Sequence, residues 1–176
     1  LHYLLYEYFP KHHAPMWRSK TRRSIGLNQF QYPDMADTTV IYYTANREDP
    51  IFEYRVQKHL LSVIGDLPLI SVSQKPIKNF GTNICVGEQR WADVTAFRQL
   101  QIGLKAAKTK FAIAAESDCL YPPDYFTFTP EKDTRVYRYN NVHILYAWYG
   151  QTTKGAFWNK PMSEGAQMCA RDVWIE

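Results

Sequence analysis

Hydrophobic positions in the middle of the chain follow first a strand-like and then a helix-like spacing. Residues 38–44 are β-branched and aromatic, which is typical of a buried strand. Asp49-Pro50 then offers an N-cap and a first-turn proline, and apolar residues recur at helical spacing until Gly65. A second short strand is predicted at 67–73. This order of strand, helix and strand predicts a parallel crossover unit.

A similar order continues further along the chain. Residues 74–90 contain proline and glycine and are predicted to form a long loop. Residues 92–108 present one apolar face and predict a second helix. The apolar run at 111–115 predicts a third buried strand, which ends in the triplet Glu116-Ser117-Asp118. The pattern therefore predicts an α/β fold.

The last third of the chain has a less regular pattern. Two strands are predicted at 136–139 and 142–148, and the turn residues Asn140-Asn141 between them favour an antiparallel hairpin. Residues 163–174 are expected to form a terminal helix, with Glu164 near its start.

Length and charge suggest one domain preceded by an arm. The chain has 176 residues, enough for a single domain over 34–176. Residues 1–33 carry five lysine and arginine side chains and one glutamate, which accounts for the formal net charge of +4. This basic, aromatic arm suits phosphate contacts and stacking on bases or sugars. Equally, it suits a solvated arm whose apolar residues dock on the main domain.

Two absences narrow the class of protein. No apolar run approaches the ~20 residues that a membrane-spanning helix needs. The three cysteines are widely separated and lack C-x-x-C spacing, which argues against a disulfide framework or a structural zinc site. A reducing, cytoplasmic location is therefore expected.

The acidic triplet after the third strand is the main candidate for chemistry. Glu116 and Asp118 are two residues apart, so in an extended chain both side chains leave on the same side. Neighbouring carboxylates repel each other unless one is protonated or a cation lies between them. Oxygen ligands of this kind suit Mg²⁺ or Mn²⁺. The alternative is a pair that only caps the next helix, at Pro122-Pro123-Asp124.

Polar residues also follow the first two strands. Residues 44–48 offer hydroxyl, amide and guanidinium groups for a base, a ribose or a phosphate. After the second strand, Ser73 and Lys75 are similarly placed, and Lys75 suits a phosphate. The alternatives are a polar turn capped by Asp49 and a solvated loop lysine.

These motifs together resemble a known family. The likeness rests on Thr44-Ala45-Asn46, on Phe97-Arg98-Gln99 and on residues 114–126, whose sequence is AAESDCLYPPDYF. They are similar to the nucleotide-sugar half of GT-A glycosyltransferases, and most of all to the family-two-like group. The likeness covers about residues 38–126.

The resemblance implies a GT-A, Rossmann-like mixed sheet flanked by helices, with a nucleotide-sugar half at 38–126 and an acceptor-side half at 127–176. It implies a metal-dependent glycosyltransferase that moves a sugar from a nucleotide-diphosphate sugar to an acceptor hydroxyl. Asp118 would bind the catalytic cation, Mn²⁺ or Mg²⁺. Glu116 would approach the ribose, or the metal through water.

Further roles follow from the same resemblance. Thr44, Asn46 and Glu48 would line the pocket for the base and ribose. Glu164 would be the general base, although a helix-capping role is the alternative. Apart from the resemblance, His143 is a candidate third metal ligand because a neutral imidazole can complete such a site, or else it is a packed core histidine. The chain departs from the family in two places, because Glu116 replaces the usual aspartate and no acid follows the second strand.

Other functions stay open at this point. A nucleotidyltransferase would use a similar sheet and cation, although the usual Gly- and Lys-rich loop after the first strand is missing. A non-catalytic module that binds glycan or nucleic acid through the arm is a third reading. The family resemblance implies a glycan as the acceptor. The basic arm also permits DNA with a hydroxylated base, and a steep loss of acceptor affinity with added salt would indicate it.

Overall fold

A computed structural model describes residues 37–90, 92–146, 156–160 and 163–175. The predicted arm at 1–33 lies outside these ranges. The described part is an α/β fold in which a mixed six-stranded sheet is flanked by helices. The elements in chain order are β1 (Thr38–Thr44), α1 (Pro50–Val63), β2 (Leu69–Ser73), β3 (Thr82–Cys85), α2 (Asp93–Ala106), β4 (Phe111–Glu116), α3 (Pro123–Phe126), β5 (Tyr137–Arg138), β6 (Val142–Tyr146), β7 (Ala156–Lys160), β8 (Gln167–Ala170) and α4 (Arg171–Ile175).

Strand order in the large sheet is β3-β2-β1-β4-β8-β5. The first four strands are parallel, whereas β8 runs antiparallel to both β4 and β5. From β1 the chain crosses to β2 on one side and later reaches β4 on the other. In open α/β sheets a crevice forms where the strand order reverses in this way, at the carboxyl ends of the strands. Here that point lies between β1 and β4.

Alternate residues of β1 pack against helices on opposite faces of the sheet. Val40 and Tyr42 share one core cluster with Leu60 of α1. Ile41 and Tyr43 share the other cluster with Leu100 and Leu104 of α2. This two-sided burial explains the uninterrupted hydrophobic run at 40–43, because a strand covered on both faces has no solvent-facing side. The sequence-based predictions of β1, β2, β4, α1 and α2 are confirmed.

The predicted N-terminus of α1 is also confirmed. The Asp49 carboxylate accepts hydrogen bonds from the backbone N–H groups of Ile51 and Phe52, both at 3.0 Å. Pro50 occupies the first turn, where a missing N–H costs nothing. The helix ends just before Gly65, whose φ of 57° a glycine adopts without strain.

Three predictions for the connections and the last third of the chain are wrong. Residues 74–90 are not loop throughout, because β3 pairs with β2 at the sheet edge. The hairpin across Asn140-Asn141 does not form, since β5 pairs with β8 and β6 pairs with β7. The terminal helix over 163–174 is instead a turn, then β8, and only then the short α4.

The cause of the last error is the ambiguity of a short apolar run. Gln167–Ala170 is buried at every position and fills the place between β4 and β5. A four-residue buried strand and one face of a helix look alike in sequence. Among the helices in the described ranges, none has the length and apolar character that a membrane crossing requires.

Candidate functional site

A cleft of about 200 Å³ lies at the carboxyl ends of the parallel strands. Its walls come from the ends of β1 and β4, the residue after β2 and the start of α2. Four residues that the sequence analysis singled out line it: Thr44, Glu48, Glu116 and Asp118. The switch point of the sheet is thus also the place where these four predicted site residues meet.

The end of β4 brings two carboxylates and a thiol together. Ligand atoms of Glu116, Asp118 and Cys119 all lie within 4.8 Å of one another. The Cys119 thiol donates to Asp118 Oδ1 at 3.4 Å and lies 3.8 Å from Glu116 Oε2. Burial raises the pKa of the Cys119 thiol well above its usual value, and the two carboxylates raise it further. The thiol is therefore protonated and acts as a donor.

Glu116 is held in place from both sides. Tyr43, its neighbour in register on β1, donates a 2.6 Å hydrogen bond to Glu116 Oε1. Burial and the adjacent Glu116 carboxylate raise the pKa of Tyr43, so the phenol keeps its proton. On the other side, Gly165 packs so closely that a Cβ there would overlap the Glu116 carboxylate. Tyr121 ties these parts together, because its hydroxyl accepts from the Glu116 N–H and donates to the Gly165 carbonyl.

The cleft lining is acidic. Glu48, Asp93, Glu116 and Asp118 all line it, whereas Arg90 is the one basic side chain among the described lining residues. Burial raises the pKa of Glu48, and the nearby carboxylates of Asp118 and Glu53 raise it further. The like charges are therefore close enough to influence one another, and they favour a cation in this cleft.

The donor set fits a divalent cation. Asp118 is exposed at the cleft, and the Cys119 thiol is its one hydrogen-bond partner in the part of the chain that the structure describes. Carboxylate oxygens from Glu116 and Asp118 match the preference of Mg²⁺ and Mn²⁺. Cys119 adds a sulfur ligand that hard cations do not need, and it would bind a softer metal such as Zn²⁺ only after losing its proton.

The end of β1 holds a different carboxylate. Glu53, 7% exposed on the first turn of α1, accepts hydrogen bonds at Oε1 from Tyr42, Thr44 and Asn46, at 3.2, 2.8 and 3.2 Å. Asn46 has a φ of 51°, and its amide oxygen accepts from the backbone N–H of Lys75 at 2.8 Å. The side chains of Thr44 and Asn46 are therefore committed to joining β1 with α1 and the loop after β2.

The remaining predicted residues lie away from the cleft lining. Ser73 is fully buried, and its hydroxyl accepts from Asn83. Lys75 is exposed and contributes its backbone N–H rather than its ammonium group to the contact with Asn46. His143 is exposed on β6 and is not part of the Glu116, Asp118 and Cys119 group, so the prediction of a metal-ligand position is not supported by its place. Glu164 is exposed in the turn before β8, not at a helix start.

Sequence reasoning missed several residues of the site. Cys119 directly follows the acidic triplet, so its position was a usable signal. Tyr43 was visible only as a strand residue, and its contact with Glu116 depends on the register of β1 and β4. Gly165 reaches Glu116 across 49 positions of sequence and leaves no local signal.

Comparison with known proteins gives no assignment of family. A scan against models of protein families finds no match, and a search of curated proteins finds none either.

Proposed function

We propose that this protein is a metal-dependent glycosyltransferase of GT-A type, which moves a sugar from a nucleotide-diphosphate sugar to an acceptor hydroxyl. The observation that carries the proposal is the position of Asp118 and Glu116. Glu116 ends the central strand β4, Asp118 follows it two residues later, and both line the cleft at the switch point of the sheet. Nucleotides bind at this place in many open α/β sheets. The likeness in sequence over 38–126 adds to this support.

The charge of the cleft favours a cation as part of the ligand. A diphosphate is an anion, and four acidic side chains around the cleft would repel it. Asp118 and Glu116 would hold Mn²⁺ or Mg²⁺ between protein and diphosphate. When bound, the cation neutralises charge that develops on the diphosphate leaving group.

The chain's own residues then have distinct roles. Tyr43 and Gly165 fix the direction of the Glu116 carboxylate, so that one of its oxygens is already hydrogen-bonded before any ligand arrives. Preorganised groups lower the cost of binding, because little side-chain freedom is lost at that moment. Glu48, at the rim of the cleft, is the candidate for a ribose hydroxyl.

Glu164 is the proposed general base. It precedes Gly165, whose backbone packs against the Glu116 carboxylate, and its side chain is exposed. A base that deprotonates the acceptor acts on catalysis more than on donor binding. Glu164→Gln is therefore expected to lower kcat about 100-fold or more with little change in the affinity for the nucleotide. Equal turnover in this variant would remove the assignment.

The decisive experiment is a thermal-shift panel of nucleoside diphosphates and nucleotide sugars, each with Mn²⁺ and with EDTA. A ligand at about 100 times its Kd stabilises the folded state by about 2.7 kcal/mol, which is a shift of several degrees. We expect stabilisation with Mn²⁺ only. Asp118→Asn should abolish the shift, whereas Asp66→Asn, an exposed acid before β2, should keep it.

Three other outcomes contradict the proposal. If the ligand stabilises wild type equally in EDTA, or stabilises the Asp118→Asn variant as much as wild type, the protein is a binding module without a metal-dependent reaction. Release of pyrophosphate from a nucleoside triphosphate would indicate a nucleotidyltransferase. If the protein binds the donor in a metal-dependent way but transfers no sugar to glycans or to DNA with hydroxylated bases, it recognises the donor without catalysing the transfer. For a DNA acceptor, affinity should fall steeply with salt.

A further inference from the structure

Two buried glutamines line the cleft on the side away from the β4 carboxylates. Gln74 directly follows β2 and is 5% exposed, and Gln99 lies on α2 and is 3% exposed. A primary amide carries two N–H donors on one end and an acceptor oxygen on the other. Buried amides normally have both ends hydrogen-bonded, so an open end needs an explanation.

Gln99 has an open acceptor. Its Nε2 donates to the carbonyl oxygens of Thr44 and Val72, at 2.8 and 3.1 Å. These two acceptors fix the orientation of the amide, because a flipped amide would place oxygen against oxygen. Within the described ranges, no group donates a hydrogen bond to Gln99 Oε1.

Gln74 has an open donor. Its Oε1 accepts from the backbone N–H of Gln89 at 3.0 Å, which fixes the orientation of this amide as well. Across the described residues, Gln74 Nε2 donates to no acceptor. The two amides are thus complementary, since one presents N–H groups and the other presents an oxygen. Both groups are expensive to leave without a partner in a buried position.

The two glutamines come from neighbouring parts of the fold and line one cleft. Gln99 joins the carbonyl groups at the ends of β1 and β2, and Gln74 comes two residues after Val72 on β2. Both side chains line the same cleft of about 200 Å³. This volume is below the ~300–1,000 Å³ of pockets for whole drug-sized ligands, and it suits a single planar ring.

We propose that Gln74 and Gln99 bind the hydrogen-bonding edge of a nucleobase. Gln99 Oε1 accepts from an N–H of the base, and Gln74 Nε2 donates to the neighbouring carbonyl oxygen or ring nitrogen. Each nucleobase has an adjacent donor and acceptor on one planar edge, which proteins read by such contacts. This inference rests on the proposed function, because the base is that of the nucleotide donor. The diphosphate would then extend toward Glu116 and Asp118.

The cleanest variant is Gln74→Glu. A carboxylate at this position keeps an oxygen for the N–H of Gln89 and replaces the open donor with an acceptor. Gln74→Leu removes both groups without adding charge. Gln101→Glu is the matched control, because Gln101 is an exposed glutamine on the same helix as Gln99 and receives the same charge.

The measurement is the Kd of UDP, GDP, CDP, ADP and inorganic pyrophosphate in Mn²⁺, by calorimetry. The informative quantity is the affinity for each nucleotide relative to pyrophosphate, because this ratio cancels the effect of charge on the phosphates. We expect wild type to bind one nucleotide at least about tenfold more tightly than pyrophosphate. Gln74→Glu and Gln74→Leu should each remove about tenfold of that ratio, whereas Gln101→Glu should leave it unchanged.

The outcomes separate this inference from the proposed function. If a nucleoside diphosphate binds with Mn²⁺ and both Gln74 variants keep the wild-type ratio, only the base-recognition inference fails, and the open amide groups bind water. If no nucleoside diphosphate binds wild type with Mn²⁺, the proposed function fails and the inference fails with it.

Discussion

The carboxylates at the ends of β1 and β4 differ in what surrounds them. Glu53, beside β1, is buried and accepts hydrogen bonds from three side chains. Asp118, after β4, is exposed at the cleft, and a weakly donating thiol is its one partner among the described residues. A carboxylate whose lone pairs are occupied by protein donors supports the fold, whereas one that faces a cleft among other acids is placed for a ligand.

This difference also separates the motifs of the sequence. Thr44 and Asn46 look like ligand-binding residues after a strand, yet they donate to Glu53 and fix the turn. Glu116 and Asp118 look equally polar in sequence, but they line the cleft. The two motifs lie at the ends of the neighbouring strands β1 and β4. The difference in their roles therefore comes from the hydrogen-bond donors that the fold places beside each carboxylate.

The largest effect on stability is expected from Glu53→Ala. Three donors lose their common acceptor in a buried place, and unsatisfied buried groups cost about 1–3 kcal/mol each. We expect the free energy of unfolding to fall by about 3–4 kcal/mol in urea titrations. Glu131→Ala, at an exposed acid, should change it little. A loss below about 1 kcal/mol in Glu53→Ala would show that the β1 network is not structural.

Gly103→Ala tests the packing beneath the cleft. A Cβ at this position of α2 would overlap Ile41 Cγ2 and would lie 3.3 Å from Val72 Cγ2, both in the sheet core. Overpacking of this kind costs about 1–3 kcal/mol, and the higher helix propensity of alanine offsets part of it. We expect a lower melting temperature and weaker Mn²⁺-dependent nucleotide binding, because α2 carries one wall of the cleft. Gln101→Ala, exposed on the same helix, should be neutral or slightly stabilising.

Much of the fold follows from local patterns. β1, α1 and α2 were predicted because their apolar spacing and the Asp49 cap act within a few residues. β8 was not predicted, because a short strand is defined by its neighbours, and its neighbours β4 and β5 are distant in sequence. The wrong prediction of the hairpin has the same origin, since β5 and β6 each pair with a strand further along the chain rather than with each other.

The candidate site was predictable only in part. The positions of Glu116 and Asp118 follow from the rule that parallel strands end at one edge of the sheet. The role of Glu53 was hidden, because an acid in the first turn of a helix is ordinary in sequence. The open amides of Gln74 and Gln99 were hidden too, because they result from hydrogen bonds made elsewhere by the same side chains.

Gly165→Ala tests whether Glu116, at the end of β4, serves metal binding or folding stability. The added methyl group must displace the Glu116 carboxylate, which is partly exposed and can move toward the cleft. We therefore expect a loss in unfolding free energy of about 1 kcal/mol, smaller than for Gly103→Ala. The Mn²⁺-dependent shift in melting temperature should fall strongly. If the metal response is intact while stability falls, Glu116 is structural and resembles Glu53 in function.

The smallest effect is expected from Glu48→Gln, which tests the repulsion among the cleft acids. Partial burial of its carboxyl group, together with the carboxylates of Asp118 and Glu53, raises the pKa of Glu48 in the folded state. The folded protein therefore binds this proton more tightly than the unfolded chain, so stability falls as pH rises above the unfolded pKa of about 4.3 and on through the folded value. Glu48→Gln should melt at most about 2 °C higher than wild type at pH 7 and equally at pH 4, since Glu48 is exposed and screened by solvent.

Mn²⁺ sharpens this last comparison. A cation held by Asp118 offsets the repulsion on Glu48, so the difference between Glu48→Gln and wild type at pH 7 should shrink when Mn²⁺ is added. Asp118→Asn should reduce the same difference without metal, because it removes one of the charges that raise the pKa of Glu48. A difference that persists unchanged with Mn²⁺ and in the Asp118→Asn background would mean that burial alone raises this pKa. The acids of the cleft would then not act together on a cation.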